Sequence, residues 1–139
     1  MGLSIMEPHQ KKSEQKMLET QMTYTAKMVV RDNDTALSVG SGDLQVLATP
    51  RMMALMENAA MKAVAPELPE GCTTVGGYIE SSHLRPSAVG HTIEASATLT
   101  QIEGKKLTFD VCAKDGDTLI GEGKHIRFIV DKEKFLSRL

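Results

Sequence analysis

Hydrophobic and polar positions along this chain repeat with two periods. In "TQMTYTAKMVV", Met22, Tyr24, Ala26, Met28 and Val30 alternate with polar partners, which predicts a half-buried strand. "RDNDTALSVGSGD" interrupts that alternation with turn chemistry. In "ATPRMMALMENAAMKAVAP" the period lengthens, and Met52, Met53, Leu55, Met56, Met61 and Val64, with Ala between them, predict one long helix. Thr49 suits the N-cap, Pro50 the first helical position and Pro66 the stop. Period two then returns four times. "CTTVGGYIESSHLRP" is a strand with a double glycine, and "HTIEASATLTQI" alternates Ile93, Ala95, Ala97 and Leu99. "KKLTFDVCAK" alternates Leu107, Phe109, Val111 and Ala113, and "TLIGEGKHIRFIVD" ends with Ile126, Phe128 and Val130 in step. "EGKK" and "KDGDT" read as hairpin connections.

A strand, one long apolar helix and four antiparallel strands predict an α+β domain whose sheet wraps the helix. Neither a repeat nor a second-domain linker is visible, so residues 17–139 read as a single domain. Residues 1–16 are polar and aperiodic, a loose tail in which His9 has no evident task.

One helical residue breaks the pattern. Arg51, Asn58 and Lys62 share a wet stripe at ~100° per residue. Glu57 lies roughly 120° from it, between Met53 and Met61 and on the side of Ala60 and Val64. A Glu at the edge of an apolar face can reach past its neighbours to solvent. Held inside, it requires partners, because an unpaired buried carboxylate costs several kcal/mol. Carboxylates held in that way gather at active sites.

Composition removes several classes of function. The chain has 139 residues, 41% hydrophobic and 24% charged, which fits one soluble domain with one core. A net charge of −2, no basic cluster and no Trp give no footprint for nucleic acid. No apolar run reaches membrane-spanning length, the N-terminus lacks a secretory core, and "MGLSIM" lacks a myristoylation signal. The expectation is a cytoplasmic protein with no membrane partner. Cys72 and Cys112 have neither metal nor redox spacing and read as free, buried thiols, so neither a metal site nor a cofactor is expected.

The layout, together with "HLRPSAVGHTIEASATL", resembles the hotdog-fold acyl-CoA thioesterases. The nearer likeness is to the fluoroacetyl-CoA thioesterase-like family, which carries a Thr at the helix start, a Glu two turns later and a His on the following strand. Thr49, Glu57 and His83 occupy those places here, and "LMENAAMKAVAP" and "GEGKHIRFIV" resemble the family's helix and last strand. The likeness runs from about Met22 to Phe135. It implies a hotdog fold, an acyl-CoA substrate and a catalytic set of Thr49, Glu57 and His83.

Thioester hydrolysis gives these residues a reason to coexist. A water or a carboxylate must attack the carbonyl, donors must meet the oxyanion, and protons must move as the thiolate leaves. Glu57 would serve as base or nucleophile, His83 as proton relay, and the Thr49 hydroxyl would orient Glu57 or the water. Gly76 and Gly77 let a strand backbone approach a substrate, so their N–H groups are candidate oxyanion donors.

Each residue also has a plainer reading. Thr49 can be only a cap, His83 and His91 surface residues, and the double glycine only a bulge. His125 and Arg127 alternate out of phase with Ile126 and Phe128 and so are expected to leave the core face. The family likeness offers Arg127 as a contact for the coenzyme A portion of the substrate. One departure stands out: the fluoroacetyl-specific enzyme has aromatic residues just before the helix, and "SVGSGDLQVLA" has none. A rival reading is a hotdog module that binds acyl-CoA, or only dimerises, without turnover. A hydratase of the same fold would want an Asp and His pair that is not seen. Unpaired sheet edges predict a homodimer or a dimer of dimers.

Overall fold

Five strands and one long helix carry the architecture of the computed structural model, which describes residues 17–139. The expected tail at 1–16, with His9, lies outside the described residues. The strands are β1 (Thr23–Val29), β2 (Cys72–Ser81), β3 (Thr92–Glu103), β4 (Lys106–Asp115) and β5 (Thr118–Asp131). They form one antiparallel sheet in the order β1-β3-β4-β5-β2. A short helix α1 (Ala36–Val39) precedes the long helix α2 (Thr49–Val64), and α3 (Lys132–Ser137) closes the chain. Neither short helix is evident from periodicity. Each is set by a local cap: Thr35 Oγ1 accepts from Ser38 N–H, and Asp131 Oδ1 accepts from Lys134 N–H.

The sheet curls about α2, as expected. Met52, Met56, Ala59, Ala60, Ala63 and Val64 form its buried stripe. They meet Ala95, Ala97 and Leu99 of β3 and Leu107, Phe109, Val111 and Ala113 of β4 in one core. Alanines on both partners let the helix lie close to β3, and the methionines fill the wider space beyond. Burying each large side chain contributes about 1.5–3 kcal/mol. Both predicted hairpins form, each closed by two residues with a glycine at positive φ, Gly104 at 63° and Gly116 at 62°.

Four expectations need correction. Thr49 is already helical and Ala48 is the N-cap, so the threonine hydroxyl is free for another partner. Cys72 and Cys112 are free but only half-buried. Tyr24 is 40% exposed, although it shares the inner side of β1 with Ala26; the Lys62 ammonium lies 5.7 Å above its ring.

The fourth correction concerns β5. Asp115 pairs with Thr118 and Lys114 with Leu119, but Ala113 pairs with Gly121, so β5 carries one extra residue there. Beyond that bulge, Phe109 faces His125 and Leu107 faces Arg127. The inward set is therefore Gly121, Gly123, His125 and Arg127. Ile126, Phe128 and Val130 are turned outward, because a one-residue shift in a period-two strand exchanges its faces.

At Gly123 the inner face has no room for a side chain. A Cβ there would overlap the Glu80 carbonyl oxygen and lie 2.7 Å from Ser81 Cα, both backbone of the paired strand. Gly123→Ala should therefore cost roughly 3 kcal/mol by forcing β2 and β5 apart. Gly104→Ala, whose new Cβ meets open space, should cost only about 1 kcal/mol, for its positive φ. Urea unfolding of both variants checks the order.

Candidate active site

The residues singled out on α2 and around β2 come together as two separate groups. In the first, Thr49 Oγ1 and His83 Nδ1 lie 2.6 Å apart. His83 follows β2, in a segment tied down on both sides. Ser82 N–H donates to Glu122 O, Leu84 N–H to Ile120 O and Leu47 N–H to Ser87 O. That stitching holds the imidazole over the first turn of α2. His83 Nε2 is shielded from solvent and has no hydrogen-bond partner among the described residues. Burial pushes the imidazole below its usual pKa, so it is neutral at neutral pH. A 260 Å³ recess adjoins the pair, lined mainly by Ala36, Val46, Leu47, Leu84 and Pro86.

The second group surrounds Glu57. This residue sits at the flank of the buried stripe and is half-buried, as are Met53 and Met61. It borders an open 430 Å³ cleft shared with Asn58, Met61, Thr74, Gly76 and Arg127. Gly76 makes the approach possible: a Cβ there would sit 3.2 Å from Glu57 Oε2, 3.4 Å from His125 Cε1 and 3.6 Å from Arg127 Nη1. Gly77 is a glycine for a different reason. It is the extra residue of a second bulge, and its Cβ would enter the Phe128 ring at 2.5 Å. The backbone beside the carboxylate is thus that of Gly76.

His125 and Arg127 line the interior, contrary to expectation, with 0% and 7% of their surface exposed. Arg127 Nε–H donates to Thr74 Oγ1 at 2.8 Å and Nη2–H to Thr74 O at 2.8 Å. Its Nη1 lies 3.1 Å from His125 Nε2. An arginine can only donate, so Nε2 accepts, and the Nδ1–H of His125 donates to Tyr78 O at 2.7 Å. Desolvation lowers the pKa of both groups; the Glu57 carboxylate opposes that in each case. Periodicity could not reveal His125 as a neighbour of this group, because the bulge in β5 decides its face, and Thr74 on β2 carried no signal of its own.

Thr49 and Glu57 are eight residues apart, about 12 Å along the helix axis. Within one chain the Thr49–His83 pair and the Glu57 cluster therefore open into different recesses.

The family model for the fluoroacetyl-CoA-specific thioesterases matches residues 30–133. The fluoroacetyl-CoA thioesterase of Streptantibioticus cattleyicolor is 37% identical over 95 residues, 68% of each chain. A crystal structure of the fluoroacetyl-CoA thioesterase superposes with a TM-score of 0.82 at 30% identity, over 88% of this chain and 95% of that one. A Thermus thermophilus protein described as a thioesterase superfamily member has a TM-score of 0.80 at 28% identity, over 87% and 90%. These neighbours confirm the hotdog arrangement expected from the sequence.

The two depressed imidazoles set a pH window for stability. His83 and His125 bind protons less readily folded than unfolded, where the pKa is about 6.5. Their contribution is complete above that value and declines as pH falls below it, until the folded imidazoles are themselves protonated. Melting temperature should therefore fall between pH 7 and 5.5, and the fall should be shallower in His125→Gln. Equal slopes for the two proteins would remove His125 from this account.

Proposed function

The chain belongs to the fluoroacetyl-CoA-specific thioesterase family, and from that premise we propose that it hydrolyses an acyl-CoA thioester to the free acid and coenzyme A. The observation that carries this reading is the Glu57 carboxylate, half-buried in an open cleft against the backbone of a glycine. Glu57 attacks the thioester carbonyl or activates the water that does so. The Gly76 backbone borders the same cleft and its N–H serves as donor to the developing oxyanion, with the positive charge of Arg127 beside it. His83, oriented by the Thr49 hydroxyl, takes and returns the proton through Nε2, which lacks a partner among the described residues.

The separation between Thr49 and Glu57, about 12 Å along the helix axis, is bridged by a second copy of the chain. Met53 lies midway between Thr49 and Glu57. A two-fold axis crossing α2 there sets Thr49 and His83 of one protomer beside Glu57 of its partner. Ala54, small and exposed on that side of the helix, permits the close approach. A homodimer of this kind completes two equivalent sites. Further pairing into a dimer of dimers has a candidate surface in Tyr78 and Phe128, which are exposed on the outer face of β2 and β5.

Glu57→Gln should lower turnover about a hundredfold or more, the scale for losing a general base, while light scattering and melting temperature stay unchanged. Mixing Thr49→Ala and Glu57→Gln protomers should restore activity, since each mixed dimer keeps one site with both residues intact. Failure to recover would place the whole site within one chain. A non-catalytic acyl-CoA-binding module would show binding without thiol release in any of these proteins.

Acyl scope follows from the segment before α2, where Val39 and Leu44 are exposed and no aromatic residue is present. Without an aromatic cover, fluoroacetyl-CoA should not be strongly preferred over acetyl-CoA or longer acyl groups. Competing hydrolysis of the three, read by free-thiol release, decides it; a large preference for the fluorinated substrate would sink the idea.

A further inference from the structure

His125 is fully enclosed, yet an apolar residue of its volume would satisfy the packing against Phe109, whose ring centroid lies 6.2 Å away. What the imidazole adds is an acceptor. Arg127 is held by Thr74 through two bonds on one edge of the guanidinium, from Nε and Nη2, which leave Nη1 unengaged by that residue. The bond to His125 Nε2 engages Nη1 and so fixes the end of the guanidinium nearest Gly76. Nε2 can accept only while Nδ1 carries the proton, and the Tyr78 carbonyl fixes it there. Tyr78 directly follows the Gly77 bulge, so the irregularity in β2 and the tautomer in β5 belong to one device.

We propose that His125 is a positioning residue: by accepting from Arg127 Nη1 it holds the guanidinium beside Gly76 and Glu57, where the acyl carbonyl is to react. The role rests on the thioesterase reading but not on the identity of the acyl group. An ordered cation at that point contributes to transition-state stabilisation more than to substrate binding, so its loss appears in kcat rather than KM.

Acetyl-CoA hydrolysis by wild type and Glu57→Gln is measured first, to establish the reaction. His125→Asn retains a donor for Tyr78 O but no acceptor within reach of Arg127. It should lower kcat about tenfold or more, with KM changed less than about threefold. His125→Gln, whose side-chain oxygen reaches the former place of Nε2, should recover most of that loss. In an Arg127→Gln background, His125→Asn should cost nothing further.

Equal rates for Asn and Gln, or losses that multiply with Arg127→Gln, would overturn the proposal. If Asn does not fold, the nitrogen chemical shifts of His125 in the wild-type protein decide. Protonated Nδ1 with an accepting Nε2 supports the assignment, and the opposite tautomer ends it. An active Glu57→Gln would instead remove the catalytic reading of Glu57, leaving the tautomer result intact.

Discussion

One extra residue in β5 determines what the interior contains. The hairpin from β4 begins in regular register at Asp115 and Thr118, and a straight continuation would turn Glu122 and Lys124 toward the helix. Two charged side chains with no partners there would have opposed folding by several kcal/mol. The bulge after Leu119 exchanges the faces, sending Glu122 and Lys124 to solvent and bringing Gly121, Gly123, His125 and Arg127 inward. Two of those four are glycines, because the turned strand presses against Ser82, Glu80 and Met52. The other two carry the polar interior.

An arginine inside a domain of this size has to be satisfied on every side it presents. Thr74 takes two of its N–H groups, His125 takes a third, and the Glu57 carboxylate lies across the cleft. No ion pair closes between Arg127 and Glu57, so each keeps part of its capacity for a third molecule. A closed pair would have stabilised the apoprotein and blunted both groups. Charged groups kept apart in this way gather at sites that bind charged or polarised ligands.

Much of this was legible in the residues themselves. The helix with its proline start, the four alternating strands and both glycine hairpins follow from period and turn chemistry, and they suffice for the fold. The odd position of Glu57 was also legible, because an angle on a helix needs no tertiary information. The inward face of β5 was not. Ile126, Phe128 and Val130 alternate as a core strand would, yet they sit on an outer face that is itself partly covered by apolar neighbours. Period two cannot distinguish the faces of a strand that is apolar on one side and buried and polar on the other. Thr49 misled in a smaller way: Ser, Thr and Asp serve as caps so often that a threonine before proline reads as one, although its hydroxyl here goes to His83.

The division of the polar residues into two groups follows from helix geometry. Thr49 and Glu57 lie about 12 Å apart along the helix axis, and each borders a recess of its own. Thr49 with His83 lies at the start of α2 and Glu57 with Gly76 and Arg127 near its middle, the two halves of the proposed site. Each half is rigid by itself: the first through the backbone bonds that fasten residues 82–88, the second through the Thr74–Arg127–His125–Tyr78 series. In the proposed dimer, rigidity within each half leaves their relative placement to the interface. On the proposed dimer reading, assembly and activity are one equilibrium, since the two groups meet only where two α2 helices cross.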